Sequence, residues 1–424
     1  MKRVLMIVPF FPPMAGGGVY RPLSLARYLP RYGWEPTVVT PRGDAYWLRD
    51  EQLAERVPDT CRVVRTDTLS GQSVLARIRR GGRASQTRSS RRFGAIRRLT
   101  AATLMPDTYI GWYLYAVRAG RELLRKGAFD AVYSTSPPET SHMVGIKLHR
   151  ESGLPWVADF RDPWMNLDLL RPPTRIHQAV HRRLESRVCA RACVVVTTQW
   201  HEQLVRRRYP EADVRRITNG FDATEMAGVG DVTPAARPMR FMHAGMLTQK
   251  RTALTFLRAL RKYLDREPKA RDDIDVVFVG PREDENDRCA RELGLVGVVR
   301  FVDSVPHAEA LRMQRASHVL LLIKHANPDY VGLVPGKLYE YIGLRRPILA
   351  LAPDGEARAL VERLGRGETA LPEDVDAIAD CIERLHGRFR TGTLDSDFDL
   401  TERNEYDRTE LAGEMAGVLD EVTS

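Results

Sequence analysis

No apolar run in this chain approaches the roughly 18 residues that a membrane-spanning helix needs, so no spanning segment is expected. The apolar start, Met1-Lys-Arg-Val-Leu-Met-Ile-Val, is cut off by Phe10-Phe-Pro-Pro13 with no small-residue cleavage site behind it, which argues against a signal peptide. Cysteine is scarce: five residues, odd in number, at 61, 189, 193, 289 and 381. Only Cys189 and Cys193 lie close together, and no second pair completes a zinc site, so buried reduced thiols are expected. No acidic cluster has metal-ligand spacing, and no metal or cofactor is expected. The three consecutive glycines Gly16, Gly17 and Gly18 do not supply the G-x-G-x-x-G spacing of a dinucleotide fingerprint. No solenoid period recurs. These absences leave a cytoplasmic protein, with attachment to the inner face of a membrane still open.

What is present points to two α/β domains. A chain of 424 residues exceeds what one core normally supports. Short β-branched runs at 3–9, 37–40, 131–135, 156–160, 194–198 and 214–218 alternate with helical periodicity at 21–32, 113–126, 140–152 and 176–190. Runs as apolar as Cys193-Val-Val-Val predict a parallel sheet covered on both faces. A Pro/Gly/Ala-rich stretch, 228–238, reads as a linker. The pattern then restarts, with strands expected at 240–243, 275–279, 300–302, 318–323 and 347–351. The predicted division is 1–232, 233–398, and a final amphipathic helix within 399–424, carrying Leu400, Leu411, Met415 and Leu419.

Charge is uneven. Residues 1–230 hold 37 Lys+Arg against 21 Asp+Glu, whereas the whole chain is +10. Residues 77–98 contain nine arginines and no acid, a composition that predicts a mobile, solvated loop. Such a loop suits an anionic membrane surface. It lacks the interleaved aromatics of a nucleic-acid platform, and no nucleic acid is expected.

Several motifs can carry chemistry. Pro335-Gly336 opens an expected helix, whose free N–H groups and dipole form an anion site. Lys337 adds a full charge there, and Glu340, one turn on, can accept hydrogen bonds from two sugar hydroxyls. Lys250 and Arg251 put two cations after the first strand of that half. Gly280-Pro281 ends a strand where a flat base can lie on backbone. In the first half, Asp159, Arg161 and Asp162 sit at a strand tip. They either orient sugar hydroxyls and stabilise charge at a reacting anomeric carbon, or form a structural Asp–Arg pair. Asn219-Gly220-Phe-Asp222 reads as a turn between domains, and His243 as a packed strand-end histidine.

In order and spacing these elements resemble retaining glycosyltransferases of glycosyltransferase family 4. The resemblance rests on Pro9-Phe-Phe-Pro-Pro with Gly16–Gly18, on Gly33-Trp-Glu-Pro-Thr-Val-Val-Thr40, and on Pro106-Asp107 with Gly111-Trp112. It extends through Ser134-Thr-Ser-Pro-Pro138, Asp159-Phe-Arg-Asp-Pro-Trp164 and Asn219-Gly220-Phe-Asp222. It implies a GT-B fold: two Rossmann-like, doubly wound parallel-sheet domains facing each other across a cleft, the last helix packing back on the first domain. It further implies a nucleotide-diphosphate sugar as substrate, a glycan or lipid-linked acceptor, and a role in surface-polysaccharide assembly. Gly16, Gly17, Gly18 and Trp112 would serve the acceptor side. Lys250 and Arg251 would neutralise the diphosphate, Pro335, Gly336, Lys337 and Leu338 would hold phosphate, and Glu340 would bind ribose. Gly280-Pro281 and Val305-Pro306 would border the base. The sequence departs from the family in three places. Gly332 stands where the first of its two glutamates is expected, Met246 replaces an arginine, and the first-domain strand-tip histidine is missing. A nucleotide-sugar epimerase of similar fold and a non-catalytic sugar-binding or assembly protein remain as alternatives.

Overall fold

The computed structural model describes residues 1–42, 49–69, 104–164, 174–247 and 251–424; the basic segment 77–98 and Lys250 lie outside them. The described chain forms two compact units, Met1–Asn219 with Arg408–Ser424, and Gly220–Asp407.

In the first unit, seven strands form one parallel sheet: β1 (Lys2–Ile7), β2 (Trp34–Pro41), β3 (Arg62–Thr66), β4 (Ala131–Ser136), β5 (Trp156–Phe160), β6 (Cys193–Val196) and β7 (Val214–Arg216). Their order is β3-β2-β1-β4-β5-β6-β7, so the chain winds outward in both directions from β1 and β4. Successive side chains of β1 enter different cores, as the period-two pleat requires. Val4 and Met6 pack with Leu25, Ala26 and the last helix, while Leu5 and Ile7 pack with Trp112, Ala116 and Val144. Helices Tyr113–Lys126, Thr140–Ser152, Arg175–Cys189 and Gln199–Arg208 cover this second face. The last helix, Arg408–Thr423, belongs to the first face: Leu411, Ala412, Met415 and Leu419 are buried there, and Lys2 pairs with Asp420 at 2.8 Å.

In the second unit, a six-stranded parallel sheet has the order β10-β9-β8-β11-β12-β13. Its strands are β8 (Met239–Ala244), β9 (Ile274–Val279), β10 (Val299–Val302), β11 (Val319–Ile323), β12 (Ile348–Leu351) and β13 (Gly367–Ala370). Here too the pleat divides the core: Leu321 and Ile323 enter one cluster, Leu320 and Leu322 the other.

Three features differ from the sequence expectation. Strands β3 and β13 were not foreseen; both are sheet edges, and their burial is too partial to leave an apolar run. The units part at Asn219, ahead of the Pro/Gly/Ala-rich stretch. Phe221, Met226 and Val229 are buried in the second unit's core, and Phe221 packs so closely on Gly343 that a Cβ there would meet its ring at 2.6 Å. The final helix begins at Arg408, which leaves Leu400 outside it.

Candidate functional site

The carboxyl ends of β8, β9 and β11 and the helix Gly336–Gly343 bring the second-unit candidates together. Pro335 is the N-cap of that helix (φ −63°, ψ 139°), and no side chain caps it. Its carbonyl accepts from the Leu338 N–H at 2.9 Å. Gly336 is exposed beside it, so the first-turn amides and the positive dipole end remain available to an anion.

Lys337 folds back onto the β8 tip. Its Nζ donates to the Ala244 carbonyl at 2.8 Å and lies 3.5 Å from Nε2 of His243. His243 is buried, and its Nδ1 sits 2.9 Å from the Leu321 carbonyl. Nδ1 therefore carries the proton and donates it, leaving the Nε2 lone pair for the lysine. Burial, then the Lys337 charge, pushes this imidazole well below its usual pKa, so it is neutral. Burial likewise brings the Lys337 ammonium down to about 8; Arg251 pushes the same way and Glu340 opposes. An ammonium held this way gains most from an arriving anion.

Two glycines make room for the lysine. A Cβ on Gly245 (φ +129°) would lie 2.5 Å from the Lys337 Nζ, and one on Gly280 (φ +150°) would lie 2.5 Å from the Gly245 carbonyl oxygen. Gly280 is thus fixed by backbone crowding at the strand tips. Gly280→Ala is expected to cost roughly 1–3 kcal/mol from its backbone conformation alone. A thermal melt would read this, and an unchanged melting temperature would refute the crowding argument. The Gly280 N–H donates to the Val302 carbonyl at 3.0 Å, which brings Pro281 and the Val305-Pro306 loop to neighbouring strand ends.

Glu340, one turn into the helix, lies 3.7 Å from Nε2 of His307, which is also 3.3 Å from Glu225. No local signal marks this Glu225–His307–Glu340 row, because its members come from three separate helices. Arg251 is described and half-buried; Lys250 lies outside the described residues. Met246, at the family's arginine position, is 50% exposed.

In the first unit, Asp159 is paired with Arg21 and not with Arg161. The Arg21 Nε reaches both carboxylate oxygens, at 3.2 and 3.0 Å, and its Nη2 a further 3.0 Å contact. Tyr133 and Thr135 donate to the second oxygen at 2.6 and 3.1 Å. Burial would raise this carboxyl, but Arg21 and these donors hold it below its ordinary value. With no exposed surface and both oxygens occupied, Asp159 is a brace.

Arg161 is a second brace. Its guanidinium donates to the carbonyls of Ser136 (3.0 Å), Gly18 (2.6 Å) and Pro137 (2.5 Å), pinning the glycine loop to the end of β4. This geometry favours structural roles for Asp159 and Arg161 over the catalytic ones expected of them. Trp112 is corrected as well: it is fully buried, and its indole N–H donates to Thr66 Oγ1 at 2.7 Å, out of an acceptor's reach. Gly16 (φ +114°) and Gly17 are open, whereas a Cβ on Gly18 would meet the Arg161 Nη1 at 2.6 Å.

Asp162 is half-buried; burial raises its carboxyl and Arg161 lowers it. Near it stands Glu139, missed in the sequence, at the start of helix Thr140–Ser152. Burial, then the charge of Asp107, pushes Glu139 well above the carboxylate range. The signal was an acid directly after a double proline at a helix start.

Two parallel α/β units of this topology define the GT-B class of fold. Solved structures agree: sucrose-phosphate synthase of Thermosynechococcus elongatus is 17% identical, with 100% of this chain and 99% of that one covered and a TM-score of 0.67. HepE of Anabaena in complex with UDP is 15% identical, with coverage of 99% and 100% and a TM-score of 0.63. WaaG, a glycosyltransferase involved in lipopolysaccharide biosynthesis, is 14% identical, with coverage of 98% and 99% and a TM-score of 0.61. Identities this low speak to the fold alone. Residues 16–220 match the model of the glycosyl transferase 4-like domain. The match spans just under half of the chain, so it is the first unit that is similar to a glycosyl transferase 4-like domain. No protein of curated description matches the sequence. Among the described residues, no helix is long and apolar enough to cross a membrane.

Proposed function

We propose that this chain is a retaining, metal-independent glycosyltransferase. It moves a hexose or related sugar from a nucleotide-diphosphate donor to a hydroxyl of a glycan or lipid-linked acceptor. Its setting is surface-polysaccharide assembly at the cytoplasmic face of a membrane. The observation that carries the reading is Lys337, held over Gly245 and His243 beside an uncapped helix start, with Glu340 one turn on. A diphosphate fits the first group and a ribose the second. That HepE was solved with UDP bound is in keeping with this.

In the proposed reaction, the anomeric C–O bond to the diphosphate breaks and its electron pair stays on the phosphate oxygen. Lys337, Arg251 and the first-turn amides stabilise that charge. The acceptor hydroxyl attacks from the same face, and its proton passes to the departing phosphate oxygen, which retains the configuration. Pro335 and Leu338 shape the phosphate turn, and Gly280, Pro281, Val305 and Pro306 form the wall for the base. In the first unit, Gly16, Gly17 and Asp162 lie on the acceptor side, with Gly18 clamped beneath by Arg161.

A thermal-shift series against UDP, GDP, ADP, dTDP and their sugar conjugates tests the donor site. At about 100 times its dissociation constant a ligand adds about 2.7 kcal/mol, roughly 5–10 °C for units of this size. The shift should appear with one base and vanish in Glu340→Ala. No shift with any nucleotide would overturn the reading in favour of a sugar-binding assembly protein. Conversion of the donor sugar without an acceptor would replace it with an epimerase.

A further inference from the structure

Among the described residues of the first unit, positive charge is concentrated on one face of the sheet. Helices Tyr113–Lys126, Thr140–Ser152, Arg175–Cys189 and Gln199–Arg208 lie over the same side of the sheet and together hold 13 Lys+Arg against 4 Asp+Glu. Each of the four acids is already neutralised within the fold: Glu122 by Lys126, Glu151 by Arg121, Glu185 by Arg208 and Glu202 by Arg206. The other arginines of the face are exposed, and Arg118 and Arg182 lie near acids that already pair with another cation.

Between the second and third of these helices runs a slot of about 230 Å³. Met143, Ile146 and Leu184 line it, with Arg150, Arg187 and Arg191 at its rim. The three arginines are exposed, and Arg191 is steadied by the Arg187 carbonyl at 3.3 Å. Leu114 and Ile176, on the first turns of two of the helices, are 73% and 74% exposed amid this charge.

We propose that this helical face docks on an anionic phospholipid bilayer, with the slot taking one lipid. The lipid's phosphate meets Arg150, Arg187 and Arg191, and the upper methylenes of its chain lie on Met143, Ile146 and Leu184. Guanidinium groups around a small apolar floor match an amphiphile that is anionic at one end and apolar at the other. A nucleic-acid backbone would use the charge and leave the apolar floor and the exposed Leu114 and Ile176 unmatched. The proposal deepens the membrane-side setting of the proposed function, yet lipid binding is read without donor or acceptor, so the two can fail separately.

The test is co-sedimentation of the full chain with vesicles of phosphatidylglycerol in phosphatidylcholine, and of phosphatidylcholine alone. Wild type should bind the first and not the second. The triple variant Arg150→Glu, Arg187→Glu, Arg191→Glu should bind at least about a hundredfold more weakly, since each basic residue lost near such a surface costs about 1 kcal/mol and each new carboxylate adds repulsion. A control with the same charge change in the second unit, Arg258→Glu, Lys269→Glu, Arg291→Glu, should stay near wild type. Thermal melting of both triples should match wild type, and their nucleotide shifts should be unaltered. Equal binding by the slot triple, equal loss in the control, or equal binding to phosphatidylcholine alone would overturn the proposal. So would charge-dependent binding to duplex DNA that vesicles do not compete away.

Discussion

Replacing Asp159 with alanine is expected to destabilise the first unit by about 3–5 kcal/mol, the cost of removing one partner from a buried ion pair. Arg21, its side chain 10% exposed, would lose its buried carboxylate partner while still donating to the Thr218 carbonyl at 2.6 Å. Tyr133 would lose its acceptor inside the sheet. Asp159→Asn keeps the shape and removes the charge, so it should lose nearly as much. The double variant Arg21→Met, Asp159→Leu should recover part of the loss, because it leaves no charge unpaired. The pH dependence has a definite sign. The folded carboxyl lies below its ordinary value, so its contribution is present above the unfolded carboxylate pKa and fades as pH falls through the folded one. Urea unfolding at neutral and acid pH measures both. If Asp159→Ala unfolded with wild type while transfer activity collapsed, the brace reading would be wrong and the residue would be catalytic.

That experiment also bears on why the fold was easier to read in the sequence than the site. Strands β5, β6 and β11 are buried on both faces, so their apolar runs announced a parallel sheet, and the last helix was visible from Leu411, Met415 and Leu419. The edge strands β3 and β13 left no such trace. For the site, local signals marked the helix start that carries Pro335, Gly336, Lys337 and Glu340, because one turn of chain sets it. They failed where the partner is distant. Nothing near Asp159 tells that Arg21 will reach it, nor near Arg161 that it will bind the carbonyls of Gly18 and Pro137. Charged residues in a four-residue cluster invite pairing with each other, but at this strand tip the first helix supplies the closer cation. Trp112 misled for a related reason: its neighbour Gly111 suggested a loop, whereas the indole fills the core beneath β1 and β2.

Lys337→Ala is expected to lower kcat/KM for sugar transfer by about 10²–10³, the usual loss when one fixed donor to a developing anion is removed. The argument can be tested at the binding step. The free ammonium sits at about 8, brought down mainly by burial, whereas a bound diphosphate favours the charged form. Nucleoside diphosphate affinity should therefore fall as pH rises through 8, by about tenfold between pH 7 and 9, since only the protonated fraction is ready to bind. The terminal phosphate is largely ionised above pH 7, so its own titration does not reverse the trend. At pH 8 binding should draw about half a proton from solution, seen as a buffer-dependent heat in calorimetry. Lys337→Ala should abolish both the uptake and the slope. Lys337→Arg, charged throughout, should bind with no slope at all. His243 adds no second titration here, because burial keeps it neutral across this range. Affinity that rises with pH, or proton uptake that survives in Lys337→Ala, would mean that the lysine is not the group that meets the phosphate. The charge stabilisation would then rest on Arg251 and the helix amides.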